Sequence, residues 1–516
     1  MAIEFILIVK PCQGMKTFEM FKARYALEGN VRAIFITDNF MMQGDQMSER
    51  CAQYAGNTSS DRVPPVLLHM RAEHGKADGL SIAFRLLSDM NKDIVALCNK
   101  QQLSRVKDTI EAVTMFEAAK DAAPTIWQIF LDESDKTLMT FFKHLKPVLE
   151  NASLTIKVYC VTATVSCQLR LWRVVGEYVV HQNAVSLDSY NFLKDATWCK
   201  EDFEADAYND IVSLTKKGIE LYRDITENDD AAPFVFAPTG PRIVDHHGTA
   251  TELAKHCDAC VLVINGEGYS WYDAGSDEPM LYSKHHHDHD CTCVKRAGGT
   301  VIAECTTFLC GCKTQQPIDA IIQFREKAGD KTMIITGRNC IERAATLHSM
   351  GLPFNVAVYS GHLIFGARGE AMRKSDVFKL NLYQLLARPA GCFKTDRPPI
   401  IMYNTNELMK WALDEEEISK RLAGMGGEKL SHSQHKAIRA DVTGKTKRQK
   451  TDAINIISEK LCGDLTVDWT AEFATTKVVV LELQPDEIDQ IRNEPDKKMG
   501  LTLIGQRVST MQQEQR

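Results

Sequence analysis

Short apolar runs recur along the first third of the chain, each bounded by polar or glycine-bearing stretches: Ile3–Val9, Val31–Thr37, Asp93–Cys98, Trp127–Asp132 and Lys157–Thr162. Runs of this length without strict alternation are the pattern of strands buried on both faces. Helical spacing lies between them, as at Phe18, Met20, Phe21 and Tyr25. The alternation predicts a parallel sheet with helices on both sides. A second series begins near residue 232, with strands predicted at Phe234–Ala237, Ala259–Asn265, Thr300–Glu304, Met333–Thr336, Val356–Tyr359 and Ile400–Tyr403. The stretch between, rich in Asp, Glu and Asn, predicts a helix at Asp210–Arg223 and a linker. After Asn404 the chain turns helical and charged (Glu407–Leu422), then basic and polar (Ser431–Lys450), with one more strand at Thr476–Leu483 and a disordered end at Ser509–Arg516. The expected class is α/β. Two parallel-sheet lobes are expected at 1–175 and 232–405, a helical linker at 176–231 and an extension at 406–516.

Candidate chemistry falls at the ends of these strands, where open parallel sheets bind ligands. The first strand runs into Gly14-Met15-Lys16-Thr17 and then a helical pattern. A strand–loop–helix unit of this kind suits a phosphate-binding loop. Backbone N–H groups and the helix N-terminus hold phosphate, Lys16 reaches the β- and γ-phosphates, and the Thr17 hydroxyl ligates Mg²⁺. The consensus glycine before the lysine is Met15 here, with Gly14 one place earlier, and a side chain there is expected to crowd the approach to phosphate. The strand Trp127–Asp132 ends in Asp132-Glu133. Paired carboxylates at that position suit a metal-bound nucleotide, one toward Mg²⁺ and the other orienting or deprotonating water.

Composition narrows the class. Hydrophobic residues at 44% and charged residues at 25% are ordinary for a globular protein. No apolar run approaches the ~20 residues of a membrane span. Sixteen cysteines in 516 residues are too sparse for a disulfide scaffold, and the N-terminus lacks the pattern of an export signal. A reducing compartment, cytoplasmic or nuclear, is expected. The net charge of −7 excludes a generally basic coat, so any nucleic-acid surface must be a local groove.

In order, the phosphate loop, Thr37-Asp38-Asn39, Asp132-Glu133-Ser134-Asp135, Thr162-Ala163-Thr164 and two later arginine motifs resemble superfamily-two helicases, over roughly residues 1–405. The resemblance implies two RecA-like lobes, ATP with Mg²⁺ as cofactors, and a single strand of nucleic acid as partner, with DNA placed slightly ahead of RNA. It implies that Asp132 faces Mg²⁺ and Glu133 is the catalytic base. Thr162 and Thr164 would link hydrolysis to strand movement, and Thr37, Asn39 and Asn99 would lie where the first lobe meets the nucleic acid. In the second half, Ile334 to Arg343 resembles the motif ending in an arginine near the nucleotide. Gln384-Leu-Leu-Ala-Arg388 resembles the family's "QxxGR" helix, with Arg388 reaching across the cleft. Ala387 stands there for Gly, and Gly391 for the second Arg.

Two stretches stay open. The Cys/His-rich insertion at 284–313 could build a structural Zn²⁺ site through Cys291, Cys293, Cys310 and Cys312, or be a solvated histidine hairpin with core cysteines. The basic stretch Ser431–Lys450 fits a phosphate backbone or a solvated helix face equally. The expected function is an ATP-driven helicase or translocase. The alternative is a helicase-fold binding module with weak or no turnover, which the departures at Met15 and Gly391 favour.

Overall fold

The computed structural model describes residues 2–12, 14–39, 41–58, 66–67, 79–88, 92–165, 175–184, 186, 188, 192–200, 207–266, 268–283, 317–338, 341, 347, 352–360, 382–390, 401–404, 406–444, 470–473 and 477–480. In chain order the first elements are β1 (Ala2–Val9), α1 (Lys16–Tyr25), β2 (Val31–Thr37), α2 (Met41–Thr58), β3 (Val66–Leu67), α3 (Gly79–Ser88), β4 (Ile94–Leu97), α4 (Lys100–Ala119), β5 (Ile126–Leu131), α5 (Ser134–Leu149), β6 (Thr155–Thr162) and β7 (Glu177–Val180). Next come β8 (Thr197–Lys200), α6 (Ala207–Thr226), β9 (Phe234–Phe236), α7 (Ile243–His256), β10 (Ala259–Asn265), β11 (Gly268–Tyr272), β12 (Met280–Ser283), α8 (Pro317–Ala328), β13 (Thr332–Gly337), β14 (Val356–Val358) and β15 (Ile401–Asn404). The chain continues through α9 (Asn406–Ala423), β16 (Lys429–Ser431), α10 (His432–Val442), β17 (Thr470–Phe473) and β18 (Lys477–Val480).

Two sheets result. The first has the order β16-β7-β1-β6-β5-β2-β4-β3, and the second β12-β11-β10-β13-β9-β14-β15-β8. Both are parallel except at one edge, where β16 pairs antiparallel with β7 and where β10, β11 and β12 form an antiparallel meander. All seven residues of β2 and of β10 are buried, which is why these strands read as unbroken apolar runs. A ladder of stacked rings crosses the first sheet from Phe35 on β2 to Phe130 on β5 (5.0 Å) and on to Tyr159 on β6 (4.4 Å). Cross-strand aromatic pairs of this kind pin register.

The stretch expected to be a helical linker is not one. Its β7 joins the first sheet beside β1 and its β8 joins the second beside β15, with α6 and a short 3-10 turn at Leu193–Asp195 as the helical parts among the described residues. These strands are four residues long and carry charged ends, Glu177 and Lys200, so neither presents an apolar run. The expected extension also divides. Residues 406–436 belong to the compact unit Met1–Lys436, while Ala437–Arg516 forms a second unit containing the hairpin of β17 and β18. The strand expected at Thr476–Leu483 is β18, Lys477–Val480. The expected strand Thr300–Glu304, the insertion's Cys291, Cys293, Cys310 and Cys312, and the tail Ser509–Arg516 lie outside the described residues. Among the described residues no helix is long and apolar enough to cross a membrane.

Candidate nucleotide site

Strand order brings the motifs together. β6 lies between β1 and β5, so the phosphate loop after β1, Thr162–Thr164 at the end of β6 and Asp132-Glu133 after β5 sit side by side at one edge. With strands about 4.8 Å apart, the first and last of these ends are only ~10 Å apart.

The loop itself has an unusual build. Met15 takes the left-handed conformation, φ 64° and ψ 32°, immediately before α1, which costs a non-glycine residue about 1 kcal/mol or more. Met15 is 37% exposed, at the surface of the loop. The close approach falls at Gly14, where a Cβ would meet the Pro11 carbonyl at 2.8 Å. Two buried charges bracket the loop: Lys10 at its start pairs with Glu19 in α1 at 2.7 Å. Burial works against the Glu19 carboxylate, yet His181, the Ala184 N–H and Lys10 hold its pKa down to about 2.

Lys16 lies 4.0 Å from the Glu133 carboxylate. Burial opposes its charge, but Glu133, Cys12 and Asp132 hold its pKa above the ordinary lysine value. Asp132 is pushed the other way. Burial and the neighbouring Glu133 raise its pKa, with Lys16 and Arg50 pulling against them. Glu133 is itself left-handed, φ 47°, where the strand turns into α5. The Thr17 hydroxyl accepts a hydrogen bond from Arg50 on α2 at 3.1 Å. Thr17 and Asp132 offer a hydroxyl and a carboxylate oxygen, a hard donor set that suits Mg²⁺. Burial and the adjacent Glu133 carboxylate both disfavour the Asp132 charge, and a divalent cation beside the pair would favour it. The residues fit the ion.

The second sheet completes the site. Gln384, in the helical turn 382–386, donates to Glu133 Oε2 and to Thr164 Oγ1, both at 3.3 Å. The preceding residue, Tyr383, accepts a hydrogen bond from the Cys12 N–H of the phosphate loop at 3.1 Å through its hydroxyl. Cys12 and Ala163 share an apolar cluster with Tyr383, Leu386 and Phe236. Burial pushes the Cys12 thiol up to about 11, so it stays protonated among these charges. Arg388 is close enough that its charge lowers the pKa of both Lys16 and Cys12. Arg343 and Gly391 lie outside the described residues.

No protein-family model and no curated protein matches the chain. Solved structures similar to it include Mss116p bound to ssRNA and AMP-PNP, at 10% identity and TM-score 0.37, covering 90% of this chain and 77% of that one. Dbp5 of S. cerevisiae, bound to RNA and ADP BeF3, is 11% identical with TM-score 0.39, over 86% of this chain and 89% of its own. The RNA-helicase Prp28 from Chaetomium thermophilum, bound to ADP, is 12% identical with TM-score 0.21, over 82% and 80%. Likenesses this distant carry no argument, and both the two mostly parallel sheets and the site's chemistry stand on the chain's own topology and distances.

Several expected nucleic-acid residues are placed differently. Thr37, Thr162 and Thr164 are buried at 1%, 0% and 1% exposure, so they present no surface to a strand. Thr162 and Thr164 instead bond one another and Gln384, which makes them internal supports of the site. Asn99 caps α4 by accepting from the Gln102 N–H at 3.0 Å, and donates to Asn39 at 2.9 Å. Only Asn39 of this group is exposed. Residues not anticipated also converge on the second sheet's edge. Thr239 follows β9, Arg338 follows β13 and Ser360 follows β14, on three adjacent strands. His246 at the start of α7 bonds the Gly240 carbonyl at 3.0 Å, and burial lowers its pKa.

Proposed function

We propose that this protein binds ATP between its two sheets, hydrolyses it, and couples hydrolysis to movement on a single strand of nucleic acid, DNA or RNA. One observation carries the reading: Gln384, in the helical turn packed on the second sheet, reaches Glu133 at the end of β5 in the first, beside Lys16. Lys16 and the N–H groups at the start of α1 hold the phosphate tail. Thr17 and Asp132 hold the divalent cation, which when bound screens phosphate charge. Glu133 accepts a proton from the attacking water, and Gln384 fixes the carboxylate's orientation. Arg388 adds positive charge from the far side, the role in which an arginine contributes ~10³–10⁵ to turnover. A change at the phosphate tail passes through Gln384 to Thr164, and so to the loops of both sheets.

The strand itself fits the exposed end of the first sheet, where Asn39 accepts from Asn99. A second reading, binding without turnover, draws on the left-handed Met15 where the consensus has glycine. Steady-state ATP hydrolysis by the full chain, with and without single-stranded DNA and RNA, separates the two. Turnover stimulated by either strand supports the enzyme. Nucleotide binding with no turnover under any condition supports the module.

A further inference from the structure

Arg50 has no part in the sequence motifs, yet it stands inside the site. It lies on α2, whose Tyr54, one turn further on, stacks on Tyr25 (5.5 Å, 5°) and Phe21 (4.9 Å, 19°) of α1 and meets Phe18 edge-on at 6.0 Å. Those rings clamp α2 onto the helix that opens at Lys16. The clamp sets Arg50 over the first turn of α1, where its Nη1 donates to Thr17 Oγ1 at 3.1 Å. Its charge also acts on Asp132, and Asp132 acts back on it. Thr17 and Asp132 are the two oxygen donors that fit the divalent cation. A guanidinium thus occupies the electrostatic position between them from the side of α2.

A hydroxyl oxygen has two lone pairs, so Thr17 can accept from Arg50 and still ligate a cation with the other. The charges are not independent, however. A fixed monovalent cation in a low-dielectric site attracts the phosphate tail and repels a second cation. We propose that Arg50 is a binding residue for the triphosphate end of the nucleotide, holding permanent positive charge beside Thr17 and Asp132 and so sharing phosphate neutralisation with the metal. This rests on the nucleotide reading above. Its consequence is that nucleotide binding tolerates metal removal to a degree set by Arg50. Arginine suits the position because it stays charged when buried and its donors are held in a rigid fork, whereas lysine presents a point charge on a flexible stem.

The test is equilibrium binding of a fluorescent ATP analogue to the full chain, comparing wild type, Arg50→Lys and Arg50→Met in excess Mg²⁺ and in EDTA. A charged hydrogen bond is lost in Arg50→Met, so in EDTA that variant binds at least about tenfold more weakly than wild type. In Mg²⁺ the gap narrows, because the divalent ion binds more freely without its competitor, and Arg50→Lys falls between the two. Equal losses in both conditions would mean that Arg50 only supports the loop's shape, and no loss in either would mean that it is idle; each overturns the inference while leaving ATP binding intact. Wild type that binds no analogue in either condition overturns the nucleotide reading and the inference with it.

Discussion

The carboxyl edges of the two sheets are built on opposite electrostatic terms. At the first, charges sit among charges: Glu133 and Asp132 raise the pKa of Lys16, Glu133 raises that of Asp132, Lys16 and Arg50 lower it, and each has a partner in reach. At the second, the buried polar atoms are mostly neutral and under-satisfied. Thr336 Oγ1, Ser360 Oγ and His246 Nδ1 have no hydrogen-bond partner among the described residues. The first edge is pre-organised for a highly charged ligand, because its dipoles and charges are aimed before anything binds. The second buries its hydroxyls away from solvent, and it joins the first edge's chemistry mainly through Gln384. Substitutions should therefore act strongly on turnover at the first edge and weakly at the second.

The largest effect is expected at Lys16. Lys16→Ala removes the point charge on the phosphates, so ATP turnover should vanish and nucleotide affinity should fall by ~10² or more, as measured by phosphate release and by analogue binding. Turnover at the wild-type rate would show that the loop after β1 is not the phosphate loop. Next comes Glu133→Gln, which keeps shape and hydrogen bonding but not basicity. It should leave ATP binding within a few-fold of wild type while kcat drops by at least ~10².

A smaller effect concerns stability and has a sign. The folded-state pKa of Asp132 is raised, so the folded chain holds a proton that the unfolded chain has released. Stability from this group is present below the ordinary aspartate value and is lost as pH rises through the raised one. Asp132→Asn should therefore melt higher than wild type at pH 7, by about 2 °C, with the gain shrinking as pH falls toward 4. Glu19 has the opposite sign. Its depressed pKa of about 2 stabilises the fold above the ordinary glutamate value and is lost as pH falls through the depressed one. Glu19→Gln should melt lower than wild type at neutral pH, and the two curves should converge in acid. A higher melting point for Glu19→Gln at pH 7 would sink this pairing of signs.

The smallest effect is expected at the second edge. Replacing an unpartnered buried hydroxyl by an apolar group of similar shape is close to neutral for folding. Thr336→Val and Ser360→Ala should leave the melting temperature within about 1 °C of wild type and turnover unchanged, because both hydroxyls are fully buried. A loss of several degrees in either would show that its hydroxyl is a structural support of the second edge.

What could be seen in the sequence follows burial. β2, β5, β6 and β10 announced themselves because a strand covered on both faces is apolar at nearly every position. β7, β8 and β16 did not, being three or four residues long at or next to sheet edges with Glu177, Lys200 and Lys429 among them. The convergence of Lys16, Glu133 and Gln384 was legible because each follows or caps a recognisable element in a familiar order. Arg50 was not, since a single arginine within α2 looks like any solvated helix position until the aromatic clamp of Tyr54 turns it inward. Burial also narrows a role: packing closes Thr162 and Thr164 off from a strand, and Thr164 meets Gln384 instead.

The account turns on catalysis being shared across the two sheets, and a double-mutant cycle on kcat measures that sharing. Glu133→Gln, Gln384→Ala and the double variant should be compared with wild type under saturating ATP and single strand. If Gln384 acts by orienting the Glu133 carboxylate, removing it from an enzyme that already lacks the base should change kcat little. The two losses then fall short of multiplying by about tenfold or more. Losses that multiply independently would mean that Gln384 and Glu133 act apart, and that the second sheet contributes nothing to the chemistry at the first.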